Sequence, residues 1–202
     1  MKILFMIILL IHGLIHLLGF LKAFLLAELN EITNPVSKPL GLLWLSAALI
    51  LVISGVFIFL KNPLWWLFAI IGVLISQVLI ILFWKDSLYG TFPNILILSI
   101  SLIAWANYDF DKKIRENFSD VHRQATQAEL WSWRKTAEGR LAEIIVLDQF
   151  SRNIYRDQPQ SFAYDSLALA LAQEAISLQL DAQLNPEQRS FLYMPFMHSE
   201  SK

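Results

Sequence analysis

The chain has 202 residues, 56% of them apolar and 16% charged, with a net charge of −1 and no cysteine. The charges are unevenly spread: residues 1–110 carry five Lys and four acidic residues, whereas residues 111–202 carry eleven basic and thirteen acidic ones. This split argues against a wholly soluble protein and against one lying wholly in lipid, the absence of Cys excludes disulfide and thiolate chemistry, and near-neutrality without a basic block argues against a nucleic-acid partner.

Four uncharged runs come first, at 3–21, 40–60, 63–84 and 88–106. A helix rises about 1.5 Å per residue, so each run reaches about 30 Å, the hydrocarbon thickness of a bilayer. Asn34-Pro35 and Lys38-Pro39, then Lys61-Asn62-Pro63, then Lys85-Asp86 with Gly90 and Pro93, break the runs apart. Trp65, Trp66, Trp84 and Trp105 stand near run ends, where amphipathic rings favour the headgroup level. The first run is too long for a cleaved signal and has no clear small-x-small cleavage site. Four spans put both ends of the chain on one side. That side carries Lys2, Lys61, Lys112, Lys113 and Arg115 against Lys22, Lys38 and Lys85 opposite, which favours a cytoplasmic trailing half in a bacterial inner membrane.

Inside the runs, His12 and His16 are four apart and share a helix face, and Gln77 lies at similar depth in the third run. A His16–Gln77 hydrogen bond is expected. The alternatives are a metal or haem site, a proton relay, or a carrier path lined by His12, His16 and Gln77. One helix cannot clamp a haem from both faces, and no intramembrane Asp, Glu or Cys supplies a third ligand, so no metal and no cofactor is expected. Gly13, Gly19, Ser46, Ala47, Ser54, Gly55, Gly72 and Ser76 permit close helix contact. Through His12-Gly13-Leu14-Ile15-His16 and its layout, this half loosely resembles small DoxX-like four-helix membrane proteins.

The trailing half shows helical periodicity and no strand alternation. Phe110, Ile114, Phe118, Val121, Ala125 and Ala128 form one apolar stripe, with Asp111, Lys112, Arg115, Glu116 and Arg123 on the other side, which predicts an amphipathic helix over 110–128 that leaves the membrane and is not a fifth span. Thr136 fits an N-cap for a buried helix from about Ala137 to Tyr155. Phe162, Leu167, Leu171, Ala175 and Leu178 make the next face. Asn185, Pro186 and Gln188 fit N-cap, N1 and N3 of a last helix, which Pro195 should end or kink. These segments read as two helical hairpins.

Most chemistry lies in Asp148-Gln149-Phe150-Ser151-Arg152-Asn153-Ile154-Tyr155-Arg156. The spacing predicts Asp148 paired with Arg152 and Gln149 with Asn153. Such a network either fixes helix packing or forms an anion-reading pocket with Arg152 and Arg156 as fork donors. His198-Ser199-Glu200 offers a base, a hydroxyl and an acid, but neighbours in sequence diverge, and no nucleophile elbow, phosphate loop or zinc-protease motif is present.

Gly139-Arg140-Leu141, Leu147-Asp148-Gln149-Phe150 with Arg152-Asn153 and Arg156, Phe162-Ala163 with Asp165, and Phe191-Leu192-Tyr193 with Pro195-Phe196 and His198-Ser199-Glu200 resemble the bacterial domain of unknown function 924 over about 109–200. The resemblance implies an all-helical, tetratricopeptide-like fold and no assigned activity. Ser151 stands where that family usually has a proline. The likeness stops about halfway through the family's usual extent, which implies a partial domain, fusion or truncated reading frame, with marginal stability or dimerisation.

The expectation is thus an all-α protein: a four-helix transmembrane bundle over 1–108, then a partial tetratricopeptide-like helical domain over 109–202 acting as an anchored, non-catalytic interaction module. Its partners would be the lipid bilayer and another protein or a second copy. The rivals are an enzyme or anion-binding domain using Asp148, Gln149, Arg152, Asn153, Arg156, His198 and Glu200, and a small membrane carrier.

Overall fold

The computed structural model describes residues 2–29 and 32–198. The described residues are helical, with no strand, and divide into two compact units, Met1–Tyr108 and Asp109–Lys202.

In the leading unit, α1 (Lys2–Ile15) and α2 (Leu17–Ala23) share the first apolar run, followed by α3 (Lys38–Phe59), α4 (Trp65–Leu82), a short α5 (Trp84–Ser87) and α6 (Thr91–Thr126). Four helical segments, Lys2–Ala23, Lys38–Phe59, Trp65–Leu82 and Trp84–Thr126, are long and apolar enough to cross a membrane. Ser37 begins α3 by accepting from the Leu40 N–H, with Pro39 in the first turn. α3 packs against α1, α2 and α4. Gly19 lets α2 approach it, because a Cβ there would overlap the Trp44 ring.

The first apolar run, one membrane-length helical segment, is locally interrupted at His16. At His16 the backbone N–H bonds the Gly13 carbonyl at 3.1 Å, three residues back, and the helix is interrupted. The fourth apolar run and the amphipathic stretch after it form one helix. No Gly or Pro occurs between Asn94 and Thr126, so nothing ends the turn-by-turn hydrogen bonding, and α6 continues through both.

In the trailing unit come α7 (Ala137–Ile145), a π-helical turn (Val146–Phe150), α8 (Ser151–Ile154), α9 (Asp165–Ser177) and α10 (Pro186–His198), with 3-10 turns at Trp131–Lys135, Pro159–Phe162 and Asp181–Gln183. The expected caps form. Thr136 Oγ1 accepts from Gly139 N at 3.0 Å, and Asn185 and Gln188 cap one another reciprocally at 2.9 and 3.1 Å. Gly139 has a steric reason, since a Cβ there would overlap the Trp133 carbonyl. The core joins Leu130, Leu141, Ile144, Leu147, Leu171 and Leu192, with Ala168, Ala172 and Ala175 letting α9 approach α7. Each such buried Leu or Ile contributes about 1.5–3 kcal/mol in water.

Here too the sequence reading shifts. The inward stripe of α6 in this unit runs through Asp111, Ile114, His122 and Ala125, while Phe110 and Phe118 are exposed. Asp111, expected on the solvent side, is drawn in by partners described below. The face of α9 is Ala168, Leu171, Ala172 and Ala175, with Phe162 and Leu178 exposed. The long buried helix expected over 137–155 contains the π turn, which carries Asp148. α10 does not end at Pro195 but continues through it to His198.

Candidate functional site

Two polar clusters, one in each unit, gather the residues singled out from sequence. In the trailing unit the centre is Asp148, 1% exposed. His198 Nδ1 donates to both of its oxygens, at 2.8 and 3.0 Å, and Gln149 Nε2 donates to Oδ2. The predicted Arg152 contact exists but is long, 3.4 Å, because Arg152 also reaches Asp165 at 3.0 Å and lies over the Phe162 ring with 5.0 Å to its centroid. Three donor residues thus surround one buried carboxylate.

The Gln149–Asn153 pair does not form. Gln149 turns to Asp148 and to Met194 Sδ at 3.3 Å, whereas Asn153 donates to Asp111 Oδ1 at 2.9 Å. Arg156 grips the same Asp111 with Nε and, at 2.7 Å, a second guanidinium nitrogen. Asp111 holds the Arg156 guanidinium above its ordinary pKa through that hydrogen bond. Arg152 and Arg156 are therefore committed to different carboxylates and do not converge as one fork. Glu200 lies outside the described residues.

Further groups were not anticipated. Glu143, fully buried, receives Arg134 in a bidentate pair with both distances 2.6 Å, and this hydrogen bonding raises the Arg134 pKa. His122 Nε2 lies 2.7 Å from Ser151 Oγ, which donates to the Leu147 carbonyl at 2.6 Å, and the His122 ring meets Tyr155 and Tyr164 edge-on. Asp111 carried one available signal, its position beside an apolar stripe. The pairing of Glu143 depends on the turn at Trp131–Lys135, which periodicity does not reveal.

Chemically, the Asp148–His198 pair is an imidazole oriented through Nδ1 with Nε2 as its remaining nitrogen, the arrangement general bases use. Among the described residues no hydroxyl is hydrogen-bonded to His198 as a nucleophile would be.

In the leading unit His12 and His16 are almost fully buried, and the expected His16–Gln77 bond does not form. His16 Nδ1 donates to the His12 carbonyl at 2.9 Å, a carbonyl released by the helix interruption. The neutral ring then accepts at Nε2 from the Ser76 hydroxyl at 2.8 Å. Asn94, 2% exposed, links the rest: Oδ1 accepts from His12 Nε2 at 2.8 Å, and Nδ2 donates to Ser76 Oγ and Gln77 Oε1, each at 3.0 Å. Gln77 reaches Thr91 Oγ1 at 3.4 Å. Asn94 was missed although an amide within an apolar run is itself a signal. Among the described residues no group of three or more His, Cys, Asp or Glu side chains is placed to hold a metal.

Comparison with known proteins bears on the trailing unit and on the end of the apolar run before it. The family model described as bacterial protein of unknown function, DUF924, matches residues 96–202. A solved structure, the protein of unknown function ATU0120 from Agrobacterium tumefaciens, is 38% identical over 46% of this chain and 53% of its own, with a TM-score of 0.45. The chain thus spans about half the length of that protein. No curated protein matches it. Neither finding supports the DoxX-like likeness of the leading half. With more than half of its residues matched, the chain belongs to the bacterial family of unknown function DUF924.

Proposed function

We propose that the protein is a multi-pass membrane protein that holds a helical, tetratricopeptide-like interaction module at the cytoplasmic face of a bacterial inner membrane, without catalysis of its own. The reading rests on the outward face of the leading unit. In the leading unit large apolar side chains point outward, Leu49 at 52%, Leu74 at 57%, Ile81 at 62% and Ile103 at 63% exposure, while His12, His16, Ser54, Ser76 and Asn94 are inside. That order fits lipid as solvent, because an unpaired polar group in hydrocarbon costs several kcal/mol, ~2–7 by transfer estimates, whereas an outward Leu costs nothing there. The trailing unit gathers an apolar core, and its buried carboxylates Asp111, Glu143 and Asp148 are all paired within the unit, which favours a scaffold over a reaction centre.

The test is extraction of membranes with alkaline carbonate, followed by protease added to one face. The reading expects the chain to stay with the membrane and a fragment containing residues from about 109 onward to be released from the cytoplasmic face only. Removal by carbonate would overturn the membrane assignment, and release from the opposite face would overturn the orientation.

One observation favours a second reading, an enzyme or anion-binding domain: the oriented His198 imidazole beside Arg152. Under that reading His198→Gln abolishes binding or turnover of a ligand without lowering stability. Under the leading reading its effect is on stability alone.

A further inference from the structure

We propose that the groove between the start of α1 and the end of α3 binds one acyl chain of an anionic phospholipid, with Lys2 and Lys61 holding its phosphate. The proposal rests on the membrane reading above. The groove encloses about 210 Å³ and is lined by Met6 and Leu10 of α1 and by Gly55, Val56 and Phe59 of α3, without a polar side chain. Gly55 is buried at its floor, where a Cβ would meet Leu10 at 2.9 Å, while Val56 and Phe59 stand exposed beside it. Liquid water takes about 30 Å³ per molecule and a methylene is of similar size, so the groove fits roughly seven methylenes of one chain.

One end of this groove is cationic. Lys2, Met6 and Leu10 are four residues apart and form one row along α1. Gly13 lies against Ala48, Leu51 and Val52, and Gly55 against Leu10, so α1 and α3 run antiparallel and Lys2 and Lys61 come to the same end. Trp65 begins α4 there, its carbonyl accepting from Ser54 Oγ at 2.9 Å, and the Tyr108 ring meets that of Trp66 at 5.9 Å. Residues 2–10, 55–66 and 100–108, which build this end of the unit, contain no Asp or Glu. They bring two lysines together with the aromatic rings typical of headgroup level. Lys61 gives a second signal. It follows α3 in the left-handed conformation, φ 54°, with the Lys61 and Asn62 N–H groups closing back on the Ile58 and Phe57 carbonyls at 3.1 and 2.9 Å. Glycine is the usual residue at that position, so a lysine kept there at a conformational cost points to a use for its charge.

Tail and head contribute differently. In hydrocarbon an apolar wall offers no hydrophobic gain, so the groove positions a chain but does not choose between lipids. The choice falls to the headgroup. Two ammonium groups at the membrane surface attract a net-negative head over a zwitterionic one, by roughly fivefold for each lysine and roughly 10–30-fold together.

The test is reconstitution of the purified full chain with equal phosphatidylglycerol and phosphatidylcholine of matched acyl chains, followed by native mass spectrometry of the lipid retained. The proposal expects one retained phosphatidylglycerol per chain, preferred by roughly 10–30-fold, with the preference falling as salt is raised. Lys61→Gly suits the left-handed backbone, so it should cut the preference about fivefold without loss of thermal stability. Lys2→Gln/Lys61→Gly should abolish the preference. Val56→Trp fills the groove from an outward position and should release the lipid, whereas Lys38→Gln/Lys85→Gln, at the other end of the helices, should change nothing. Absence of any preference in the wild-type chain would overturn the proposal, as would a preference that survives Lys2→Gln/Lys61→Gly or Val56→Trp, or one lost equally in Lys38→Gln/Lys85→Gln. A lipid-free dimer that Val56→Trp separates would show the groove to be a contact between copies and overturn it too. Circular dichroism separates loss of lipid from loss of fold, and the wild-type preference stands whatever the variants do. A chain that resists carbonate yet shows no headgroup preference refutes this site and leaves the membrane reading intact.

Discussion

Replacing Asp148 probes the arrangement on which the trailing unit most depends. Asp148→Ala leaves His198 Nδ1 without its acceptor and Gln149 Nε2 with only Met194 Sδ. A hydrogen bond to a charged group contributes about 1.5–3 kcal/mol, so the His198 bond dominates. Arg152 suffers less, because it keeps Asp165 at 3.0 Å and gives up only a 3.4 Å contact. Against this, the carboxylate no longer has to be desolvated, which offsets part of the loss. The net expectation is a destabilisation of about 2–4 kcal/mol for Asp148→Ala and about 1–2 kcal/mol for Asp148→Asn, which retains one acceptor oxygen. Pulse proteolysis of the full chain in detergent across a urea series, following fragments from residue 109 onward, reads this directly. A double-mutant cycle with His198→Ala should show coupling of about 1.5–3 kcal/mol. An Asp148→Ala variant within about 0.5 kcal/mol of wild type would refute the reasoning and show that α10 is held by its apolar contacts alone.

Arg134→Met strands the fully buried Glu143 and should cost about 3–5 kcal/mol by the same urea assay, whereas Arg134→Met/Glu143→Leu recovers most of it because the pair's desolvation disappears with the charges. Asn185→Ala removes one half of the reciprocal cap of α10 and should cost about 1 kcal/mol, with loss of amide-exchange protection confined to the first turn of that helix. Gly19→Leu forces Trp44 aside and should lower the thermal midpoint of the detergent-solubilised chain by the equivalent of about 1–3 kcal/mol, while a polar substitution at the outward Leu49 leaves packing distances unchanged.

What the sequence revealed follows from how local each signal is. The apolar runs need only length and composition, so the helices at Lys38–Phe59 and Trp65–Leu82 were visible within two residues at each end. The caps at Thr136 and Asn185 were legible because donor and acceptor lie three residues apart. The interruption at His16 was not legible, because it depends on a side chain taking a carbonyl from its own backbone and on Ser76 holding the other ring nitrogen from α4. Asp111 looked solvent-facing because its partners, Asn153 and Arg156, are more than forty residues away in sequence. The same distance hid the competition that drew Asn153 from Gln149, and the π turn shifted the register on which that pairing relied. Of the candidate cluster, Asp148 with Arg152 followed from helical spacing, but His198 joined it only through the fold.

Lipid around the leading helices and water around the trailing ones is the claim from which the remainder follows. The chain has no cysteine, so single cysteines report without background. Leu49→Cys, Leu74→Cys and Ile103→Cys, all outward-facing, are predicted to resist a membrane-impermeant maleimide in intact membranes and to react once the membrane is dissolved and the chain denatured, whereas Gln173→Cys and Glu187→Cys react at once when the reagent reaches their face. Equal and rapid labelling of all five in undissolved membranes would contradict the account.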